Sequence, residues 1–322
     1  MKKRKLGNSG LELAPLALGG NVFGWTIDEA ASFQVLDAFV AAGFNFVDTA
    51  DMYSTWKLGN KGGESEMILG NWMKQSGNRQ KVLIATKVGM DMGAGRKGLS
   101  KDYILRAAED SLRRLQTDFI DLYQAHTDDT TVPLQETLEA FGQLFKQGKV
   151  RAIGASNYSA ARLSEALDVS KKAGLPRYES LQPLYNLYDR ADYESTLEPV
   201  CRQNEIGVIP YYSLASGFLT GKYRSEADLA KSPRGAGVKK YLNPRGFRIL
   251  EALDQTAKKY NSTPAQITLA WLLTRPAVTA PIASATNVTQ LKELLDATNL
   301  KLDRESIELL DQASATQASA TQ

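Results

Sequence analysis

Three of four short runs of this 322-residue chain end on side chains that can do acid–base chemistry, and the fourth ends on an amide. Phe44-Asn45-Phe46-Val47 ends on Asp48, and Tyr53 follows in a polar, glycine-rich stretch. Val82-Leu83-Ile84-Ala85-Thr86 ends on Lys87. Phe119-Ile120-Asp121-Leu122-Tyr123-Gln124-Ala125 ends on His126, and Val150-Arg151-Ala152-Ile153-Gly154-Ala155 ends on Ser156-Asn157. Runs of this length, rich in β-branched and aromatic residues, read as strands. In parallel α/β architectures the working side chains sit at the carboxyl ends of the strands. A lysine ammonium beside a tyrosine favours phenolate and is expected to lower the phenol's pKa, and a carboxylate beside the lysine keeps it charged and placed. A neutral imidazole can orient a carbonyl oxygen. Together such groups protonate an oxygen on which negative charge develops. They include no strong nucleophile, so the chemistry they suit is addition of hydride from a cofactor to a carbonyl. Each residue alone has a plainer reading. Asp48 could close an Asx turn or cap a helix, His126 could be a satisfied buried histidine, and Lys87 could form a Schiff base in a barrel lyase.

The elements that must position these groups alternate along the chain. A hairpin over residues 4–14 turns at Gly7-Asn8-Ser9-Gly10. A first core strand at 15–20 is followed by an amphipathic helix from Ile27 to Ala42, with Gly43 as its stop. The spacing then predicts strands at 44–48, 82–87, 119–126, 150–156, 180–185, 206–212 and 279–283. Helices are predicted at 64–76, 101–116 (with Ser100 as N-cap), 133–147, 159–173, 193–204, 246–260, 264–275, 288–297 and 303–313. A polar segment at 221–245, holding Gly221, Pro233, Gly235, Gly237 and Pro244, breaks the rhythm as a long loop. Eight strands with right-handed helical crossovers close into a (β/α)8 TIM barrel, a single domain over 1–322. The N-terminal hairpin is expected to close the barrel bottom, with additional helices at the C-terminus. Ala313–Gln317 recurs as Ala318–Gln322, so residues 313–322 read as a disordered low-complexity tail.

Composition narrows the function classes. The chain is 43% hydrophobic and 23% charged, ordinary for a soluble protein with a large core. The net charge of +3 is spread out, and Lys2-Lys3-Arg4-Lys5 reads as a solvated terminus, so no nucleic-acid partner is expected. No stretch is long and apolar enough for a membrane span, and Asn8, Ser9 and Glu12 interrupt any signal-peptide core. Cys201 and His126 stand alone as their types, which excludes an internal disulfide and a Cys/His zinc site and fits a cytoplasmic protein without metal.

Several runs resemble the aldo-keto reductase superfamily from Leu6 to about Leu310. They are Asp48-Thr49-Ala50 with Tyr53, Gly63-Glu64-Ser65-Glu66 with Leu69-Gly70, Thr86-Lys87, Asp121-Leu122-Tyr123-Gln124 with His126, Gly154-Ala155-Ser156-Asn157, and Gln182-Pro183-Leu184-Tyr185-Asn186. A further run, Gly217-Phe218-Leu219-Thr220-Gly221-Lys222-Tyr223, is similar to the bacterial and potassium-channel-β-like branches. The resemblance implies an NADP(H)-dependent carbonyl reductase, with NAD possible. Tyr53 would be its general acid, Asp48 and Lys87 its tuning pair, and His126 its carbonyl-orienting group. It also implies that Ser156, Asn157 and Gln182 hold the nicotinamide carboxamide and that Tyr211 stacks on the ring. Backbone at Leu214, Ser216, Gly217 and Leu219 would hold the pyrophosphate. Ser284, Thr286, Gln290, Lys222 and Arg224 are the candidates around the adenosine end. The arginine usual for the 2′-phosphate is replaced by Thr286, and Leu294 stands where an asparagine is common after Glu293. Trp25, Trp56, Phe23 and Tyr188 are candidate walls of a pocket for a small carbonyl substrate; the oligomeric state is not legible. The alternative implied by the channel-β branch is a cofactor-holding, redox-sensing subunit.

Overall fold

The computed structural model describes residues 2–316. Strands β1 (Arg4–Lys5) and β2 (Glu12–Leu13) form the antiparallel hairpin. Eight strands follow: β3 (Ala17–Gly19), β4 (Phe46–Asp48), β5 (Leu83–Val88), β6 (Ile120–Ala125), β7 (Val150–Ser156), β8 (Tyr178–Gln182), β9 (Gly207–Val208) and β10 (Ile282–Ala283). They lie in the order β10-β3-β4-β5-β6-β7-β8-β9 with every neighbouring pair parallel. The seam between the first and last is closed by backbone bonds. Val208 N–H donates to Ala277 O (2.9 Å), Thr279 N–H to Val208 O (2.7 Å) and Ile282 N–H to Pro210 O (3.0 Å). The fold is the (β/α)8 barrel.

Helices α1 (Glu29–Ala41), α2 (Glu64–Ser76), α3 (Lys101–Leu115), α4 (Leu134–Lys146), α5 (Ala160–Ala173) and α6 (Glu198–Gln203) cross over between strands. α7 (Pro244–Lys259) and α8 (Pro264–Leu273) precede β10, and α9 (Val288–Asp296) and α10 (Arg304–Ser314) follow it. Their starts use standard chemistry: Asp28 accepts from Ala31 N–H at α1, and Thr263 and Gln266 form a capping box ahead of Pro264 at α8. Ser100 occupies the cap position of α3 but makes no side-chain cap bond. The Lys101 N–H goes instead to Glu136 of α4 (3.0 Å).

The two strands expected at 206–212 and 279–283 are regular over only two residues each. Pro210 and Pro281 have no N–H to give to a ladder, so pairing continues there as single bridges and bonds. The 221–245 segment is not a plain loop. It carries 3₁₀ turns at Glu226–Lys231, started by a Ser225/Asp228 capping box, and at Gly235–Tyr241. The expected disordered tail starts too early in the sequence reading. Ser314 ends α10 and is buried, accepting from Arg190 at its hydroxyl (2.6 Å) and from Arg245 at its carbonyl (2.7 Å); residues 317–322 lie outside the described part.

Strand periodicity divides the core in two. Outward residues such as Val47, Ile84, Tyr123 and Ile153 pack under the helices. Inward residues Ala17, Phe46, Ala85, Leu122, Ala152 and Ile209 meet Leu6, Leu11 and Leu13 of the hairpin, which plugs the amino-terminal end of the barrel. Two residues further along the same inward rows stand Asp48, Lys87 and Gln124. The barrel is therefore apolar at the bottom and polar at the top.

α2 and α3 approach so closely that a Cβ on Gly70 would lie 2.2 Å from Arg114 O. The Gly70→Ala substitution improves helix propensity yet forces the two helices apart. We expect it to lower stability by about 1–3 kcal/mol, measured by urea denaturation; an unchanged midpoint contradicts this packing.

Candidate active site

β4 ends on Asp48 and β5 carries Lys87 inward beside it, both essentially without solvent exposure. The loop after β4 folds back so that Tyr53 meets them. Lys87 Nζ donates to Asp48 Oδ2 (2.8 Å), Thr49 O (2.8 Å) and Tyr53 Oη (2.8 Å). An ammonium has three N–H donors, and here all three are used. Nothing is left over for Lys87 to act as a Schiff-base nucleophile. Tyr53 Oη also donates to Asp48 Oδ2 at 3.2 Å, the longest bond of the set. The other carboxylate oxygen accepts from Gln182 Nε2 (2.8 Å).

The loop is fixed from outside the barrel by the Ser65-Glu66 pair of α2. Thr49 Oγ1 donates to Ser65 Oγ (2.8 Å), which donates to Gly20 O (2.8 Å). Glu66 accepts from Thr86 of β5 and from Arg114 Nε (2.7 Å) of α3. One dipeptide thus ties β3, β4, β5 and α3 together behind the site.

His126 follows β6, its ring edge-on to Tyr53 with centroids 6.1 Å apart. Burial and the Lys87 charge push its pKa well down, so it is a neutral imidazole. Burial lowers Lys87, with the attraction of Asp48 opposing. The expected lowering of the Tyr53 phenol is not found. Burial, then the Asp48 carboxylate, raises it well above its ordinary value. Burial of the hydroxyl, together with the Asp48 carboxylate at 3.2 Å, outweighs the ammonium at 2.8 Å, so the proton stays on Tyr53.

Tyr53 lies at the base of a cavity of about 1070 Å³ at the carboxyl ends of the strands. Of the residues singled out from sequence, Asp48, Tyr53, His126, Ser156, Asn157, Gln182, Tyr211, Leu214, Ser216, Gly217, Lys222, Ser284, Thr286, Gln290, Trp25 and Trp56 line it. Along one wall, Ser156 Oγ donates to Gln182 O (2.8 Å) and Asn157 Nδ2 to His126 O (2.8 Å). Tyr211 Oη donates to Asn157 Oδ1 (2.8 Å). Beyond them Ala215, Ser216 and Gly217 turn left-handed in succession, with φ of 48°, 58° and 96°. Two of its N–H groups are already used, Ala215 on Tyr212 O (2.7 Å) and Gly217 on Leu214 O (2.8 Å), and glycine relieves the last position.

Four residues are elsewhere. Phe23 is fully buried in the core. Tyr188 packs on Tyr241 (4.8 Å) and bonds Asn243 (2.7 Å), holding the start of α7. Arg224 is occupied by Asp254 (2.7 Å) and Gly221 O (2.8 Å), away from the cavity. Leu219 faces the core, and its N–H is spent on Leu214 O (3.2 Å), so it offers nothing to a pyrophosphate. The sequence reading missed Asn21, Met52, Met90, Lys231 and Arg234, which also line the cavity. Asn21 accepts from Ser284 (2.6 Å). Arg234 lies over the Trp25 ring at 5.4 Å with one terminal nitrogen buried and unpartnered. It comes from the 221–245 segment, where no periodicity marks which side chains turn inward.

A model of the aldo/keto reductase family matches residues 15–315. The chain is 35% identical to the uncharacterized oxidoreductase YrpG of Bacillus subtilis over 97% of this chain and 95% of that protein. It is 33% identical to the aldo-keto reductase YhdN of the same organism over 95% and 91%. It is 32% identical to a probable voltage-gated potassium channel subunit beta of Oryza sativa over 92% and 91%. The chain belongs to the aldo/keto reductase family.

The Asp48–Lys87 pair is buried, so removing one partner leaves an uncompensated charge. Lys87→Met should destabilise by about 3–5 kcal/mol, and adding Asp48→Asn should restore much of that loss. Denaturant midpoints of the two variants test this; a double variant no more stable than Lys87→Met rejects the pairing as the cause.

Proposed function

We propose that this aldo/keto reductase transfers hydride from NADPH to an aldehyde or ketone, with Tyr53 as the general acid. The observation that carries the reading is a protonated phenol at the base of a large cavity, held by a buried ammonium that has no other free valence. The nicotinamide supplies the hydride when bound; every other part of the reaction falls to side chains of this chain. Neutral His126 orients the substrate oxygen beside Tyr53 Oη. As negative charge grows on that oxygen, Tyr53 gives up its proton, exchanging its 3.2 Å bond to Asp48 for the substrate. The Lys87 ammonium, fixed by Asp48 and Thr49 O, stabilises the phenolate left behind. Trp25 and Trp56, edge-on at 5.7 Å, with Met52 and Met90, form the apolar side suited to the rest of the substrate.

The residues present fit a nicotinamide dinucleotide. Ser156, Asn157 and Gln182 offer an amide-binding wall beside Tyr211. Ser216 and Gly217 on the left-handed turn, and the Arg234 guanidinium, line the cavity and would hold the pyrophosphate. Lys222, Ser284 and Thr286 surround the adenosine end, where Gln290 Oε1 already holds Thr286 by N–H (3.0 Å) and hydroxyl (2.8 Å). With Arg224 committed to Asp254, Lys222 is the remaining one of the two cations considered for the 2′-phosphate, and the Glu293 carboxylate that also lines the cavity opposes it. The preference for NADPH over NADH is therefore real but modest.

The relatives named as potassium channel subunits support a second reading, a cofactor-holding partner subunit. Turnover separates the two. Multiple-turnover oxidation of NADPH with a panel of aldehydes and ketones supports the reductase, whereas tight cofactor binding with none of them reduced supports the subunit.

Tyr53→Phe should reduce carbonyl turnover by about two orders of magnitude or more while cofactor still binds. Lys87→Met should do the same, and the double variant should be little worse than either, because the two act as a unit. Steady-state kinetics with fluorescence titration of cofactor decide it, and near-normal turnover by Tyr53→Phe rejects the acid assignment. For the cofactor, Thr286→Arg should raise the NADPH preference by adding a planar fork near the phosphate while leaving NADH affinity almost unchanged. Equal shifts for both nucleotides would place the phosphate elsewhere.

A further inference from the structure

Asp51 lies between Asp48 and Tyr53 in sequence, yet the proposed chemistry does not use it. It is 1% exposed, and both carboxyl oxygens lack a hydrogen-bond partner. Its backbone N–H donates to Lys87 O (3.2 Å), so it is tied to the strand that carries the ammonium. Lys87 points into the barrel from β5, while its neighbour Thr86 points outward to Glu66. Asp51 belongs to that outer group. Facing it are Glu66 from α2, Arg114 and Tyr103 from α3, Lys87 from β5 and Tyr123 from β6. The Tyr123 hydroxyl is buried and unpartnered as well. Arg114, the cation that acts most on Asp51, is already engaged by Glu66 (2.7 Å).

An ionised carboxylate without a well-formed hydrogen bond in a dry site is costly, and a neutral acid is far less so. Burial, and then repulsion by Glu66, push the Asp51 carboxyl up to about 8, with Arg114, the Met52 backbone N–H and then Lys87 pulling the other way. At neutral pH Asp51 therefore carries its proton, and Lys87 has Asp48 as its one close anionic partner.

We propose that Asp51 is a positioning residue whose ionisation gates the Lys87–Tyr53 pair. When Asp51 loses its proton, a second anion appears behind β5. Lys87 then shares its charge between two carboxylates, and the phenolate of Tyr53 gains less stabilisation from it. Tyr53 becomes a weaker acid, and reduction slows. This gate rests on the reductase reading for its effect on rate, but the coupling between Asp51 and Lys87 does not.

The sign of the stability effect follows from the same charge. The folded protein holds the Asp51 proton between the ordinary carboxylate range and about pH 8, where the unfolded chain has released it. The folded state binds more protons in that window, so stability falls as pH rises through it and stays lowered above. Asp51→Asn has no proton to lose and lacks this decline.

The test uses the full-length protein. In the resting wild type, the carboxyl-carbon resonance of Asp51 and the ε-carbon resonance of Lys87 are followed by NMR as pH is raised. Both should move together near pH 8. The Lys87 transition should be absent in Asp51→Asn and in Asp51→Ser, the second variant guarding against misfolding of the first. Turnover of an aldehyde with NADPH is then measured over the same range. Wild type should show a several-fold fall through that pH which both variants lack. An Asp51 carboxyl that titrates in the ordinary range, or a Lys87 transition that persists in the variants, overturns the gate. So do identical turnover profiles for wild type and variants. If the resonances move together but no carbonyl is reduced at any pH, the coupling holds and the reductase reading is what fails.

Discussion

The site depends on one buried charge. Lys87 places an ammonium inside a barrel whose lower half is hydrocarbon, and such a group persists only if its donors are met. Asp48, Thr49 O and Tyr53 meet them from a single loop. That requirement fixes where β4 ends, how sharply the chain turns after it, and which way Tyr53 faces. The outer scaffold serves the same end: Ser65 and Glu66 take up the hydroxyls of Thr49 and Thr86 and lock the two strands at the height where Asp48 and Lys87 meet.

Burial also sets the direction of the chemistry. In water an ammonium beside a phenol draws its proton off. Here burial and the nearby carboxylate keep the proton on Tyr53, while burial and the Lys87 charge keep His126 neutral. The resting site is therefore loaded as an acid, ready for an oxygen that becomes more basic than the phenol as hydride arrives.

The cavity above is assembled from parts of very different regularity. Asp48, Gln182, Ser156 and Asn157 come from strand ends or the residues just after them, and their positions follow from pleat and register. The left-handed turn at Ala215–Gly217 and Arg234 come from stretches with no repeating pattern. Arg234 reaches the cavity because the 221–245 segment folds back in two 3₁₀ turns across the barrel mouth. A recognition surface of this kind can change without disturbing the barrel, which is a physical reason for variation of substrate on one fold.

Strand runs ending on Asp48, Lys87, His126 and Asn157 were legible because strands buried on both faces are short runs rich in apolar, β-branched and aromatic residues. The alternation of strands with helices was enough to name the barrel. The motif around Ser65-Glu66 marked a helix start, though not the bonds it makes. Other features needed three dimensions. Phe23 and Tyr188 are aromatic residues near the site in sequence, and only packing shows that one fills the core and the other holds α7. Arg224 looked as available as Lys222 until Asp254 was seen to occupy it. The protonation of Tyr53 depends on how much water and charge surround a hydroxyl, which spacing along a chain does not encode. Asp51 is the clearest case: three residues from Asp48, it reads as another acid of the same loop, yet the strand between them puts one inside the barrel against an ammonium and the other outside with no partner. Local sequence determined which residues could form strands and carry charge, because that depends on neighbours along the backbone. Tertiary structure decided which of them are dry, paired and protonated, because that depends on neighbours in space.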